Sequence, residues 1–327
     1  MEIGKWVRKT VFGLPRYDRS VSNVPELTTL YPGQRIELPR VTRHNVCNPS
    51  ILVRADGFQV IVRGCNYDLG VRGGFFYGSA AGPVPDSQSY LYDLAPDLAI
   101  RAMSFIEDRA QRSHDAALDG IEDLRLFDWQ GAQWVAGSAC NSTANRNTMM
   151  LARLEGATLR DEVFLASPLA APREKNWSPV VRGDDLFFVY GHHPLRVLRY
   201  DGGQLVPHLL EDTPARLAGF SGSSALMPYR DGYVAVVHHC YPAPGPFWRI
   251  YQHCLIDYGP DFRIRRVGPS FRFENDGVEF CAGLALTASD AIFSYGVNDK
   301  KAVLFRLSLD RFEGLLGQAV SDPSGSD

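Results

Sequence analysis

The sequence predicts an all-β fold, a five-bladed β-propeller. Short apolar runs alternate with polar residues at a period of two and end in Gly, Asp or Asn, which is typical of strands joined by tight turns. Long helical periodicity is nearly absent. A strand–turn–strand unit recurs roughly every 45 to 75 residues, close to the spacing of propeller blades. The five copies of this unit cover residues 51–63, 124–136, 178–190, 224–238 and 283–295.

Each hairpin predicts the inner part of one blade, because a blade is a four-stranded sheet that buries its faces against neighbouring blades. The segments between hairpins then supply the outer strands, such as 150–154 and 195–200. A two-sheet sandwich is the alternative, but it does not predict a hairpin that repeats with this regularity. We therefore expect one propeller domain over residues 1–320, with blades at about 44–310 and a disordered tail at 321–327.

Composition and charge exclude several classes of function. The chain has 327 residues, of which 45% are hydrophobic and 22% charged, and a formal net charge of -3. It therefore lacks the bulk positive field that would attract nucleic acid or an anionic membrane. There is no run of about 18 apolar residues, so no membrane span is predicted. The N-terminus lacks the apolar run of a signal peptide. A cytoplasmic protein with reduced thiols is the simplest expectation.

No metal or cofactor site is expected. None of the six cysteines forms a C-x-x-C pair, and their spacing fits no common zinc pattern. The chain has two His-His pairs, His192-His193 and His238-His239. Because adjacent residues of a regular strand point to opposite faces of the sheet, such a pair does not chelate one ion.

Polar residues flank all five hairpins at the same end. A hairpin brings the start of its first strand and the end of its second together, so these residues meet at one end of each blade. If the hairpins are the inner strands, the residues ring the central axis as a shallow bowl. Those ahead of the first strands are Asn48, Glu122-Asp123, Lys175-Asn176, Ser223 and Glu279. Those after the second strands are Arg63 and Asn66, Ser138 and Asn141, His192-His193, His238-His239, and Asn298-Asp299.

Convergent carboxylates, amides, cations and imidazoles with few apolar partners suit a ligand covered in hydroxyl groups. The bowl therefore predicts a carbohydrate site, to which Asn66 and Asn176 contribute amides. The alternative is that polar residues simply end strands, which explains Ser138 and Ser223 well. It explains charged groups beside apolar strands, as at Glu122-Asp123, less well.

Five short motifs follow one another along the chain between about residues 44 and 310. They are Asn48-Pro49-Ser50, Arg63, Glu122-Asp123-Leu124-Arg125, Lys175 and Tyr295-Gly296-Val297-Asn298-Asp299. In this order they resemble the motifs of glycoside hydrolase family 130. The strings at 174–177 and 278–283 look closer to another branch of the same superfamily. The resemblance implies a five-bladed propeller acting on β-mannosides, in most members as an inverting phosphorylase and in others as a hydrolase or β-1,2-mannosyltransferase.

The resemblance also implies roles for individual residues. The Glu-Asp-Pro-Arg motif of the family holds its catalytic acid, which matches Asp123, although Leu124 stands here in place of the proline. Asn48 and Asp299 match positions that hold the sugar. Family phosphorylases bind phosphate with Arg, Lys, His and Tyr side chains around the axis. The matching candidates are Arg63, Arg125, Lys175, His238 or His239, and Tyr295.

The implied chemistry is coherent. An inverting transfer needs an acid on the leaving oxygen and a nucleophile on the opposite face of the sugar ring. Phosphate arrives as an anion, so cations hold it and no second carboxylate is needed as a base. We therefore expect Asp123 to donate the proton, and inorganic phosphate or a sugar phosphate to bind beside the carbohydrate. A hydrolase with Glu174 or Glu279 as base is one alternative, and a non-catalytic carbohydrate-binding propeller is another.

Overall fold

The computed structural model describes residues 24–69, 75–77, 86–108, 120–141, 146–169, 171, 174–242, 249–274 and 277–317. The tail expected at 321–327 lies outside these residues. The helices are α1 (Leu27–Leu30), α2 (Leu309–Gly314) and a 3-10 helix (Ala215–Leu217). The strands are β1 (Gln34–Leu38), β2 (Asn45–Arg54), β3 (Gly57–Cys65), β4 (Tyr67–Leu69), β5 (Phe75–Tyr77), β6 (Ser87–Leu94), β7 (Ile100–Phe105), β8 (Ile121–Trp129), β9 (Ala132–Asn141), β10 (Arg146–Glu155), β11 (Thr158–Phe164), β12 (Ser178–Arg182), β13 (Asp185–His192), β14 (Leu195–Asp201), β15 (Gln204–Glu211), β16 (Phe220–Gly222), β17 (Met227–Tyr229), β18 (Gly232–Pro242), β19 (Arg249–Tyr258), β20 (Ile264–Val267), β21 (Glu279–Leu286), β22 (Asp290–Val297) and β23 (Lys301–Ser308).

These strands form five antiparallel blades, as the repeated hairpins predict. In order from the axis outward, blade 1 is β2-β3-β6-β7, blade 2 is β8-β9-β10-β11 and blade 3 is β12-β13-β14-β15. In blade 4 the inner position is divided between β16 and β17, which both pair with β18, and β19 and β20 follow. Blade 5 is β21-β22-β23-β1. The first strands of the blades contact one another, since β2 packs on β8 and β21, and β8 packs on β12.

The five predicted hairpins are therefore the two inner strands of the five blades. The segments predicted as outer strands, 150–154 and 195–200, lie in β10 and β14, the third strands of blades 2 and 3. The start of each first strand and the end of each second strand lie at one end of the ring, because the pairs are antiparallel.

Blade 5 closes the ring with strands from both ends of the described chain. The outermost strand β1 pairs with β23 in a continuous register from Gln34 opposite Arg306 to Leu38 opposite Ala302. The blades thus include a strand ahead of the range of about 44–310 that the hairpins indicate. This closure joins residues far apart in sequence and holds the first and last blades together.

The hydrophobic core lies in the seams between blades. Five apolar clusters each fill one seam. In the seam between blades 1 and 5, for example, Val60 and Tyr92 pack with Ile292 and Leu304, and none of these four is more than marginally exposed. Each buried side chain of this kind contributes about 1.5–3 kcal/mol. Packing between neighbouring blades therefore fixes where the inner strand ends meet.

None of the helices in the described part of the chain is long and apolar enough to cross a membrane.

Candidate functional site

The inner strands are bulged at the end of the ring where the polar residues were predicted. The pairing of β2 with β3, of β8 with β9 and of β21 with β22 shifts register there. Asn48 and Asp123 stand in two of these bulges with φ of 48° and 52°, and Asn176, just ahead of β12, has φ of 62°. Asn and Asp tolerate this left-handed conformation better than other non-glycine residues. Because a bulge frees a residue from the ladder and redirects its side chain, neighbouring blades meet through these residues.

Asp123 joins blades 1 and 2. Its Oδ1 atom accepts hydrogen bonds from Asn48 Nδ2 at 2.8 Å and from Arg63 Nη1 at 3.2 Å. Arg63 also donates through Nε to Ser87 Oγ at 2.7 Å, and its Nη2 lies 3.5 Å from Glu122 Oε1. Asp123 is 9% exposed and Arg63 5%. One carboxylate is thus fixed between an amide and a guanidinium while a small part of it faces solvent.

Asp299 connects blade 5 to the hydrogen-bonded group of Asn48, Arg63 and Asp123. Asn298 and Asp299 are the two central residues of the turn between β22 and β23, with φ of 53° and 51°, and the turn is closed by a 3.0 Å bond from Lys300 N to Val297 O. Asp299 Oδ2 accepts a 3.2 Å hydrogen bond from the Tyr67 hydroxyl. Blades 1, 2 and 5 therefore contribute the acidic and amide side of the site.

Arg125 is wholly buried and binds the ring itself. Its Nε donates to Ser223 O at 2.9 Å, its Nη1 to Asp123 O at 2.7 Å and its Nη2 to Asn176 Oδ1 at 3.2 Å. Its guanidinium carbon lies 5.3 Å from the centre of the Phe280 ring. These contacts tie blades 2, 3 and 4 together at the axis. Arg125 is 0% exposed, so it lies beneath the surface of the candidate site.

His238 of blade 4 is a neutral imidazole next to this ring. Its Nδ1 lies 2.8 Å from Ser223 Oγ, and its ring stacks on Tyr251 with centroids 5.6 Å apart. Burial first, and then the neighbouring imidazole of His253 and nearby basic side chains, hold the pKa of His238 well below its usual 6.5. At neutral pH the ring therefore acts as a hydrogen-bonding group and not as a cation.

Two basic side chains of blades 3 and 4 lie at the mouth of the candidate site, which is the end of the ring where the strand-end residues meet. Lys175 is exposed, and its charge acts on both Asp123 and His238. Arg249 hydrogen-bonds the hydroxyl of Tyr251, and it acts together with Lys175 on Cys240. Among the described residues, Lys175 has no ion-pair partner within 4.0 Å. The mouth therefore has a basic side on blades 3 and 4 opposite the acidic side on blades 1, 2 and 5.

The carboxyl group of Asp123 is held in its ionised form. Burial alone would raise its pKa. Four neighbours outweigh burial and lower the pKa below 3.8; in decreasing order they are Arg63, Arg125, the Asn48 amide and Lys175. In the unliganded protein Asp123 is therefore a carboxylate at neutral pH.

Asp299 is shifted in the opposite direction. Burial raises its pKa above 3.8, and the charges of Asp123 and Glu122 add to this effect, whereas Arg63 and the Tyr67 hydroxyl oppose it. The two aspartates of the site thus take up protons in different pH ranges, Asp299 before Asp123 as the pH falls.

The two glutamates predicted as possible bases bind backbone amides. Glu174 is buried, and its Oε1 accepts a 2.9 Å hydrogen bond from Ala171 N. Glu279 is also buried, and its two oxygens accept bonds from Phe273 N at 2.7 Å and Glu274 N at 2.8 Å. These contacts give both carboxylates a role in shaping the chain around the site.

Three other predicted residues have partners away from the Asp123 group. The hydroxyl of Tyr295 donates to Glu274 at 3.1 Å. His239 lies on the opposite face of β18 from His238 and stacks on a neighbouring tyrosine at 3.7 Å. Asn66 accepts a 2.8 Å bond from the backbone of Asp86 through its Oδ1. The structure therefore brings Asn48, Arg63, Asp123 and Asp299 into one hydrogen-bonded group and places Lys175 and His238 beside it.

Sequence reasoning missed three residues of the site: Tyr67, Arg249 and Tyr251. Tyr67 begins β4, beyond the end of the hairpin, and Arg249 and Tyr251 lie on β19, the third strand of blade 4. All three lie away from the ends of the two inner strands, where the other residues of the candidate site stand. Strand β18 is long, and its partner β19 therefore reaches the same end of the blade. The length of β18 is the feature that would have indicated Arg249 and Tyr251.

Solved structures with this architecture include a phosphorylase, a glycoside hydrolase and a mannosyltransferase. A β-1,2-mannobiose phosphorylase from Listeria innocua, in complex with β-1,2-mannobiose, has a TM-score of 0.57 at 12% identity, covering 85% of this chain and 95% of that one. A glycoside hydrolase of the GH130 family that targets β-1,2-mannosidic linkages in Candida mannan has a TM-score of 0.57 at 14% identity, covering 86% and 87%. A GDP-Man-dependent mannosyltransferase from Leishmania mexicana has a TM-score of 0.56 at 12% identity, covering 88% and 94%.

At these identities the likeness is one of fold. The sequence itself matches no protein-family model and no curated protein. The chain therefore shares its five-bladed propeller with phosphorylases, hydrolases and transferases that act on mannosides, as the short motifs led us to expect.

Proposed function

We propose that this protein is a carbohydrate-active enzyme that cleaves or forms a β-mannoside bond with inversion, as a phosphorylase or glycosyltransferase with Asp123 as proton donor. The observation that carries the proposal is the division of the mouth into two sides. Asn48, Asp123 and Asp299 offer amide and carboxylate groups to sugar hydroxyls. Lys175 and Arg249 offer positive charge to an anion on the opposite side.

This division matches what an inverting transfer requires. The acid must reach the leaving oxygen on one side of the sugar ring, and the nucleophile must attack from the other. A phosphate nucleophile needs cations and hydrogen-bond donors to hold it, and no carboxylate base. Among the predicted phosphate ligands, Lys175 is exposed, Arg63 is paired with carboxylates and Arg125 is buried. The proposed phosphate site therefore consists of Lys175, His238, Arg249 and Tyr251.

The proton on Asp123 has to arrive with the ligands. In the free protein Arg63, Arg125 and Lys175 stabilise the carboxylate and lower its pKa. A phosphate dianion beside Lys175 offsets that positive charge, and a sugar over the mouth removes the remaining solvent from Asp123. Both changes raise the pKa of the carboxyl group. The acid is thus formed when the site is filled, which suits a reaction that needs donor and phosphate together.

A non-catalytic carbohydrate-binding propeller is the second candidate. The ionised state of Asp123 in the free protein favours it, because a carboxylate that only accepts hydrogen bonds from sugar hydroxyls has no need of a proton. Hydrolysis receives less support, since backbone amides bind both oxygens of Glu279 and one oxygen of Glu174.

The test is incubation of the protein with a panel of β-linked mannobiosides, with and without inorganic phosphate, and separate measurement of free sugar and sugar 1-phosphate. Calorimetry with the same sugars measures binding. Phosphate-dependent release of sugar 1-phosphate is the expected result. Release of reducing sugar without phosphate would indicate a hydrolase, and binding without turnover would indicate a binding module. A protein that neither binds nor converts any of these sugars would contradict the proposal.

A further inference from the structure

Tyr67 is a buried tyrosine whose hydroxyl lies inside the candidate site. It is 3% exposed, and its ring packs against Cys47 and Cys65 in a small apolar cluster beneath β2 and β3. Nothing in the strand-end pattern marks it. Its position is set by β4, which begins directly after the hairpin of blade 1.

The hydroxyl of Tyr67 bridges two groups of opposite charge. It accepts a 3.0 Å hydrogen bond from Arg63 Nη2 and donates a 3.2 Å hydrogen bond to Asp299 Oδ2. These two contacts use both its donor and an acceptor position. Because Asp299 belongs to blade 5, the bridge crosses the seam at which the ring closes.

Arg63 divides its donors among four partners, of which the Tyr67 hydroxyl is one. Nε binds Ser87, Nη1 binds Asp123, and Nη2 binds Tyr67 with Glu122 nearby. Two carboxylates thus approach the guanidinium directly, and a third, that of Asp299, approaches it only through a neutral hydroxyl. Without that hydroxyl, Asp299 loses its one hydrogen-bond donor among the described contacts and stands as an ionisable group near two other carboxylates.

We propose that Tyr67 is a positioning residue of the site: its hydroxyl holds Asp299 at a fixed distance from Arg63, so that Arg63 stays on Asp123 and the second oxygen of Asp299 is left to bind substrate. The substrate part of this inference rests on the function proposed above. The relation between Tyr67 and Asp299 rests on geometry alone and is testable in the free protein.

The test variant is Tyr67→Phe, which keeps the ring in its apolar cluster and removes only the hydroxyl. The matched control is Tyr92→Phe, since Tyr92 is a buried tyrosine of the same blade whose hydroxyl donates to Pro39 O at 2.7 Å, away from Asp299. The first measurement is the titration of the Asp299 carboxyl by carbon-13 NMR, with its signal assigned from Asp299→Asn. The ionisable or charged groups that face Asp299 are Arg63, Asp123, Glu122, Tyr67, Cys47 and Tyr251.

Loss of the hydroxyl removes a hydrogen bond to the ionised form, so the titration midpoint of Asp299 is expected to rise in Tyr67→Phe and to stay unchanged in Tyr92→Phe. The second measurement is turnover and sugar binding. The kcat/KM of Tyr67→Phe is expected to fall roughly 10- to 100-fold, the loss typical of one hydrogen bond to a charged group, with kcat and KM both affected.

An unchanged Asp299 titration in Tyr67→Phe would overturn the inference whatever the activity. A shifted titration in a protein that converts no glycoside would leave the inference standing and remove the proposed function. If Tyr67→Phe does not fold, the same hydrogen bond is tested by changing Asp299 and observing Tyr67. The Tyr67 hydroxyl proton of the wild-type protein should then move upfield in Asp299→Asn, and an unmoved signal would contradict the bridge.

Discussion

Asn48 donates a hydrogen bond of 2.8 Å to Asp123 across the seam between blades 1 and 2, and both residues stand in left-handed bulges of their strands. The bond is made possible by a third position, in blade 5. The Cα of Gly296 lies so near that a Cβ built on it would be 2.0 Å from Asn48 Oδ1 and 2.5 Å from Asn48 N. Close approach of a glycine therefore sets where Asn48 stands, and Asn48 in turn holds the carboxylate.

Gly296→Ala is expected to displace Asn48 and lower turnover while costing about 1–3 kcal/mol of stability, the usual effect of overpacking. The control is Gly191→Ala, because a Cβ there meets only Pro194 O at 3.8 Å. Urea unfolding and turnover of the two variants provide the comparison. Equal activity of both alanine variants and the wild type would mean that Asn48 has no part in placing Asp123.

The opposite pKa shifts of the two aspartates predict opposite effects on stability. The pKa of Asp123 is lowered in the folded state, so its ionised form stabilises the fold at neutral pH, and this contribution is lost as the pH falls through that lowered pKa. The pKa of Asp299 is raised in the folded state, so its ionised form destabilises the fold at neutral pH, and stability is recovered below that raised pKa.

Asp123→Asn is therefore expected to lower the free energy of unfolding at neutral pH, and Asp299→Asn to raise it. The difference for Asp299→Asn should shrink first, as the pH falls through the raised pKa of Asp299, and the difference for Asp123→Asn should shrink only at lower pH, through the lowered pKa of Asp123. Urea unfolding across this pH range measures the differences. Two variants that shift stability in the same direction at neutral pH would contradict the electrostatic description of the site.

Arg125 is expected to be required mainly for stability. Arg125→Met keeps a long apolar side chain but leaves Ser223 O, Asp123 O and Asn176 Oδ1 without their donor. Unpaired buried acceptors of this kind cost about 1–3 kcal/mol each before relaxation, so a loss of about 2–4 kcal/mol in unfolding free energy is predicted. Arg125→Lys should recover only part of the lost stability, because an ammonium group cannot reproduce the fixed, planar arrangement of the guanidinium donors. A methionine variant as stable as the wild type would show that these bonds contribute nothing net.

Lys175→Ala should weaken phosphate use more than sugar binding, since Lys175 is the exposed cation at the basic side of the mouth. Loss of one charge-assisted contact predicts a roughly tenfold rise in the phosphate concentration needed for half-maximal rate. Lys301→Ala is the control, because Lys301 pairs with Glu37 on the outer strands of blade 5 at 3.2 Å. Equal phosphate dependence in the two alanine variants would remove Lys175 from the phosphate site.

The fold was predictable because its repeating unit is local. The alternating runs at 51–63 and 283–295 became β2–β3 and β21–β22, since strands joined by a short turn pair with each other. The closing strand β1 was not predicted, because its partner β23 lies at the other end of the described chain. No local sequence pattern specifies the pairing of two strands that lie so far apart in the chain.

The site was likewise predictable only where local features of the sequence specify it. Asn48, Arg63, Asp123 and Asp299 were predicted because they end inner strands and match short motifs, and the structure brings them together. The burial of Arg125 was not foreseeable, since it depends on carbonyl groups from three blades. Glu174 and Glu279 have the residue type of a base, but only the fold shows that backbone amides bind one oxygen of Glu174 and both oxygens of Glu279.

The central claim, that Asp123 is the reacting acid of a glycoside-converting site, is tested most directly by the turnover of Asp123→Asn with the best wild-type donor. The matched control is Asp128→Asn, the same change on the same strand at an exposed residue that pairs with Arg54. Loss of a general acid predicts a fall in kcat of roughly 100- to 10,000-fold with sugar binding retained. Turnover of Asp123→Asn close to that of the wild type and of Asp128→Asn would contradict the claim.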